Sequence, residues 1–395
     1  MSRRILVTGA SIAGTTTAWW LNAYGFKVEL VEKAPSFREG GQNVDVRGNA
    51  REVLRRMGLE EAAFAKRTPE RGTEWVDADN KTIARFEAGD SDTDSGPTAE
   101  MEIRRGDLAR LIFDAVKDKV TVKFGDSIAD VAQDGHGVDV TFESGRRDHY
   151  DMVVVAEGVG SQTRELLFPG ENEPRWMYLT IAYFSIPRQQ HDSDYARVYN
   201  TVGGRGATLK PARDHQLGAY MGIHKKPDGE HSWGPDRQRQ YMLDMFAKDG
   251  WEFPRICREM KTVDDFYFDC LRQVRMKRWT NGRVVLTGDA AWCPTSLSGI
   301  GTTLAIIGGY VLAGEMSRTP NPQSAFSRYE TLMRPFVKEG QNIPKIVPRL
   351  LWPHTRLGLA LMRNAMRLAG TGPIKKLFAN AFARDSTLVE LPRYD

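Results

Sequence analysis

The chain has 395 residues, 41% hydrophobic and 27% charged, with 55 basic against 51 acidic side chains for a net charge of +4. At ~150 residues per domain this is room for two to three globular domains, and it excludes a disordered, collagen-like or disulfide-stapled chain. The charge excess is too small to point to nucleic acid, and no run of ~18 apolar residues predicts a membrane span.

The first thirty residues carry the clearest pattern. Arg4 to Thr8 reads as a short buried strand, and Gly9 to Gly14 (GASIAG) as a small-residue turn. Thr15 to Tyr24 has helical spacing and stops at Gly25; Lys27 to Val31 is a second strand ending in Glu32. Strand, tight turn, helix, strand and acid make a βαβ unit. Arg51 to Met57 follows as a helix, and residues 73–86 as a hairpin turning at Asp79-Asn80. Residues 89–98 (GDSDTDSGPT) read as a polar surface loop, Gly106 to Val116 as a helix. Strands are expected near 120–123 and 138–142, with a buried strand at Met152–Val155.

Between 172 and 280 short alternating segments read as antiparallel strands, and 16 of the 38 aromatic residues fall there. Such a sheet either carries an aromatic pocket or reflects the ordinary taste of strands for aromatics, two readings that stand level. Arg283 to Thr287 is another buried strand, Thr302 to Met316 a small-residue helix, and the chain beyond 325 is mainly helical. From Gln341 to Arg384 there are eight basic residues and no acidic one. Pro344, Pro348 and Pro353 cut this stretch into pieces, which favours capping helices with a solvated basic face over one membrane-surface helix.

Three cysteines, Cys257, Cys270 and Cys293, form no CxxC pair and fit a reducing, cytoplasmic setting. The start, Met1 to Val7, lacks the long apolar run of a signal peptide. The histidines lie apart without HxxxH or HxH, so no metal site is expected.

The glycine turn is built for a dinucleotide. Gly9 makes the tight turn, Gly14 lets helix and strand approach, and the following helix offers N–H groups and its positive end to a pyrophosphate. Ser11 replaces the middle glycine of GxGxxG, and Glu32 stands where an acid meets the adenosine ribose. A short-chain dehydrogenase would need glycine at Ala13 and a Tyr-x-x-x-Lys, which is absent.

Four later segments choose between nicotinamide and flavin: Gly41 to Gly48 (GQNVDVRG), Arg104 to Leu108 (RRGDL), Asp151 to Arg164 (DMVVVAEGVGSQTR) and Gly288 to Gly301 (GDAAWCPTSLSGIG). In this order the chain resembles the group A FAD-dependent monooxygenases of the para-hydroxybenzoate hydroxylase type, nearest to tetracycline-degrading and natural-product hydroxylases. The resemblance covers residues 1 to about 320. It implies an α/β fold with a Rossmann-like FAD domain (1–72, 99–171, 281–330), an antiparallel substrate sheet (73–98, 172–280) and a C-terminal helical region (331–395).

It also implies a site. Gly9, Ser11, Ala13 and Gly14 would hold the FAD pyrophosphate, Glu32 the ribose with Lys33 beside it, and Arg105 and Asp289 the middle of the cofactor. Gly299, Ile300, Gly301 and Thr302 would face the flavin ring, with Arg38 and Asp45 near that ring and the nicotinamide approach. Glu157 stands where the family has aspartate, Trp292 where it has histidine, and Thr303 where it has asparagine. NADH or NADPH would reduce the flavin, whose C4a-hydroperoxide would transfer oxygen from O2 to an aromatic or polyketide-like substrate. No catalytic residue of the protein is implied, and a monomer or homodimer is expected.

Overall fold

The computed structural model describes residues 2–38, 40–88, 101–370 and 390–394. Two sheets organise it. The first is six-stranded and mainly parallel. Its centre is Arg4–Thr8, flanked by Lys27–Glu32 and Met152–Val155. Thr121–Phe124 pairs beyond the former and Val284–Leu286 beyond the latter, with Thr280–Asn281 as an antiparallel edge. Strands covered on both faces read as unbroken apolar runs, which is why RILVT and MVVV were legible. Ile5, Leu6, Val7 and Val153 are fully buried. The helices Ile12–Ala23 and Gly301–Arg318 pack on each other over this sheet.

Their contact is made by small residues. A Cβ on Gly309 would stand 3.0 Å from the Thr17 amide, so the two helices meet backbone to backbone. The first helix starts at Ile12, a turn earlier than the spacing suggests.

The second sheet has seven strands. Tyr267–Gln273, Arg175–Pro187, Gln216–His224, Arg205–Pro211 and Ala196–Thr201 run antiparallel in that order. Gly72–Val76 then joins in parallel and carries its hairpin partner Thr82–Glu87. The hairpin turns where expected, with Asn80 at φ 60°.

Three differences from the sequence reading have physical causes. The span 172–280 is not all strand: helices Pro235–Phe246 and Phe253–Met260 cover the outer sheet face. Their buried Met242, Phe246, Phe253, Ile256 and Met260 recur at helical spacing, and each helix has proline in its first turn. Ile128–Gln133 is a strand pairing with Val138–Phe142; four of its six positions are polar, small or exposed, so no apolar alternation announced it. Histidines far apart in sequence meet, His224 Nδ1 lying 2.8 Å from His354 Nε2. The polar segment 89–98 lies outside the described residues.

After the helix Pro322–Gly340 the chain breaks into Val347–Leu351 and Arg356–Ala369, as its prolines require. This last stretch is strapped to the second sheet: Asn200 Nδ2 donates to the Leu351 carbonyl at 2.9 Å, and the Gly203 amide to that of His354 at 2.9 Å.

Candidate active site

One cavity of about 1000 Å³ runs between the carboxyl edge of the parallel sheet and the inner face of the second sheet. At one end its wall is backbone. Gly9 has φ +96°, and a Cβ there would sit 2.3 Å from the Ala156 carbonyl oxygen. The helix Ile12–Ala23 begins at Ser11 with no side-chain cap, which leaves its first N–H groups facing the space. Arg105 Nη1 reaches Ser11 Oγ at 3.4 Å. Gly41 makes room for that arginine: φ is +107°, and a Cβ would lie 2.5 Å from Arg105 Nε.

Glu32 ends the second strand and accepts hydrogen bonds from the Ala10 amide at 2.8 Å and the Ala34 amide at 2.9 Å. It therefore holds the glycine turn in shape. Lys33 bonds Gln162 Oε1 at 2.9 Å on the rim, and Arg38 lines the opening. Glu157 also lines the cavity, with its oxygens committed to its own turn: Ser161 Oγ at 2.7 Å and Thr163 Oγ1 at 2.6 Å donate to it.

Farther in, the helix Gly301–Arg318 starts without a side-chain cap, and Gly299, Gly301 and Thr302 line the space before it. Asp45 lies alongside, 2.8 Å from Arg47 Nη2. Burial pushes its carboxyl up, with Arg47 opposing. The Arg47 amide donates to Thr303 Oγ1 at 3.3 Å, so Thr303 anchors this loop. Asp289 opens a short helix and is likewise raised by burial, with its neighbour Cys293 and Arg105 opposing. Burial, then Asp289, raise the Cys293 thiol strongly, so it stays protonated and unreactive at neutral pH.

Of the residues expected at the site, Ala13 and all those named above line the cavity, while Gly14 and Ile300 do not. A Cβ on Gly14 would fall 1.8 Å from the Gly9 carbonyl oxygen, so this glycine permits the turn from behind. Ile300 is 4% exposed and packs into the core. Trp292 is a packing residue, its ring 4.4 Å from that of Trp279.

The other end is a wall of side chains that sequence reasoning did not single out. Tyr267, Tyr183 and Tyr220 stand in register across three neighbouring strands. The Tyr183 ring lies 5.0 Å from that of Tyr220 and 6.1 Å from that of Tyr267. Burial raises all three phenols, so each is a hydrogen-bond donor at neutral pH. Tyr183 shares a hydrogen bond with Ser296 Oγ at 3.1 Å, and Tyr220 Oη accepts one from the Asn43 amide at 2.8 Å.

One rung along stand Asp269, Ile181 and Gly222. Burial pushes the Asp269 carboxyl up to about 6, against Arg272 at 3.7 Å. Trp352, from the C-terminal strap, covers Gly222, where a Cβ would be 2.9 Å from the indole nitrogen. Lys210 lies between Glu102 and Glu70, 3.3 Å from the latter, and ties this sheet to the short strand Glu102–Arg104 that precedes Arg105.

The backbone end fits an FAD. Two uncapped helix N-termini, a glycine turn open to close approach and the cation Arg105 are the donor set a pyrophosphate and an anionic ring need. Among the described residues no cluster of metal ligands competes with this reading.

Comparison with known proteins agrees. A family model described as FAD binding domain matches residues 3–339. The chain is 34% identical to a flavin-dependent monooxygenase from an unknown prokaryotic organism, over 86% of this chain and 88% of that one. It is 33% identical to monooxygenase CTB7 of Cercospora beticola, over 100% of this chain and 98% of that one. Its fold is similar to the crystal structure of tetracycline destructase Tet(55), with TM-score 0.82 and 30% identity over 100% of this chain and 99% of that one.

Proposed function

The chain belongs to the FAD-binding family of FAD-dependent monooxygenases, the group A hydroxylases, and on that footing we propose that it uses NADH or NADPH and O2 to hydroxylate an aromatic or polyketide-like small molecule. The observation that carries the reading is a cavity that joins the glycine turn and two uncapped helix starts to a wall of tyrosines.

In this reading Gly9, Ser11 and the first helix hold the pyrophosphate, with Glu32 shaping the turn beside the ribose. Arg105 and Asp289 flank the middle of the cofactor, and Gly299, Gly301 and Thr302 with Asp45 meet the ring. Bound FAD supplies hydride acceptance and dioxygen activation, so one oxygen atom enters the substrate and the other leaves as water. The chain supplies orientation and dryness. Tyr183, Tyr220 and Tyr267 donate to, and stack on, a flat substrate. Asp269 is ionised above about pH 6 and takes the proton of an acidic substrate hydroxyl, leaving a phenolate whose charge makes the ring more electron-rich. Trp352 closes the far side and keeps water out.

The test is turnover of the yellow holoenzyme with NADH or NADPH under heavy-oxygen dioxygen. One labelled oxygen atom in a phenolic or polyketide product is expected. A colourless protein that takes up no FAD contradicts the reading. So does stoichiometric NAD(P)H oxidation that yields a product without the label, which would mark a dehydrogenase or reductase instead.

A further inference from the structure

The stretch after Gly340 carries a surface that oxygenation does not use. Residues 341–370 hold five basic side chains, Lys345, Arg349, Arg356, Arg363 and Arg367, and no acidic one. Ile346, Leu350, Leu357 and Leu361 are 52%, 59%, 71% and 62% exposed. Of the eight exposed large hydrophobic side chains among the described residues, five fall between 346 and 368. Single exposed leucines are ordinary, whereas a cluster marks an interaction surface.

Helix geometry sorts Arg356–Ala369 into three faces. Met362, Met366 and Ala369 are buried, the last two packing with Ala84 and Phe86 of the hairpin. Leu357 and Leu361, one turn apart, share a second side. Arg356, Arg363 and Arg367 recur on the third. Arg356 and Arg367 are exposed, while Arg363 reaches back to the Asn200 carbonyl at 3.3 Å. Lys345 and Arg349 are exposed beside Ile346 and Leu350. Between the two helices the chain turns Trp352 inward to line the cavity. The patch is therefore the outer face of the strap whose inner face closes the substrate end.

We propose that this face binds an anionic lipid surface, with the aliphatic side chains entering the acyl boundary and the cations lying among the headgroups. Charge complementarity selects that occupant. A second copy docked symmetrically would bring the same four exposed cations together with no acid from this stretch between them. Two acids of the hairpin strands beneath are engaged elsewhere: Glu74 with Arg85 at 2.5 Å, and Glu87 with the Tyr195 hydroxyl at 2.9 Å. An anionic bilayer supplies an apolar phase and negative charge at once. No helix among the described residues is long and apolar enough to cross a membrane, so the association is peripheral. Its consequence, an apolar substrate drawn from the bilayer beside Trp352, rests on the proposed function; the binding itself does not.

Sedimentation of the FAD-loaded protein with phosphatidylglycerol vesicles, and with phosphatidylcholine vesicles, tests this. The expected result is at least a roughly tenfold preference for phosphatidylglycerol that fades with salt. The double variant Leu357→Ser/Leu361→Ser should bind those vesicles roughly tenfold less and keep its full FAD content. No binding, equal binding to both lipids, or an unchanged double variant would overturn the proposal. A dimer in sedimentation velocity that the double variant dissolves would assign the face to a second copy instead. Labelled product without vesicle binding would sink this inference and leave the oxygenase reading standing.

Discussion

The two ends of the cavity are built from different materials. The end proposed for the cofactor is backbone: Gly9 at φ +96°, two uncapped helix starts and the turn held by Glu32. The end proposed for the substrate is side chains, with Tyr183, Tyr220, Tyr267 and Asp269 from three strands and Trp352 from a strap some 130 residues farther along than Tyr220. A backbone site is specified by residues that must be small or must turn, and these sit together in sequence. A side-chain site is specified by register, which no local pattern fixes.

The largest break in this contrast should come from Gly14→Val. Its Cβ lands 1.8 Å from the Gly9 carbonyl oxygen, so the turn must shift. FAD affinity should fall more than ~100-fold, with a stability loss of roughly 2–4 kcal/mol, read by calorimetric titration and urea melts. Arg105→Ala should weaken FAD by roughly 10- to 100-fold without unfolding, because it removes one charged partner from the middle of the site. Unchanged affinity would take Arg105 out of the cofactor's reach.

At the other end Gly222→Leu sharpens the comparison. The new side chain displaces Trp352, whose indole nitrogen lies 2.9 Å from the position of a Cβ. The strap should loosen, with a loss of about 1–3 kcal/mol and faster proteolysis near residue 352, while FAD stays bound.

Asp269→Asn is the smallest effect and depends on pH. The folded carboxyl titrates at about 6, above its ordinary ~3.9, so the folded state holds the proton more tightly. Stability is fully present below pH ~4 and is lost as pH rises through about 6. The neutral variant escapes that loss. At pH 8 the apoprotein should gain about 1–2 kcal/mol, discounted because the side chain is 27% exposed, and at pH 4 almost nothing. A gain equal at both pH values would show that Asp269 is not a raised carboxyl.

Much of the cofactor end was therefore readable. RILVT, the GASIAG turn and Glu32 fall into place because a parallel strand, a tight turn and a helix start each leave a local mark. Gly14 was read both as a pyrophosphate contact and as the residue that lets helix and strand approach; it stands behind the wall, in keeping with the second role. Glu157 matched a family carboxylate, and its oxygens turn out to close their own helix start. The aromatic excess between 172 and 280 hinted at a pocket without saying which rings face it. Tyr241, Phe246 and Phe253 pack on the outer face, and three tyrosines on the inner one. Trp352 left no signal at all, because its partner is the absence of a side chain at Gly222. The basic C-terminal stretch looked like a solvated cap, and only the structure showed leucines outside it.

The central claim is that cofactor and substrate recognition are separated along one cavity. Calorimetric titration of FAD into the apoproteins of Gly14→Val and Trp352→Ala, side by side with the parent chain, tests it most directly. The account predicts FAD affinity reduced more than ~100-fold in the first and within about twofold of the parent in the second. Comparable losses in both, or an unimpaired Gly14→Val, would contradict it.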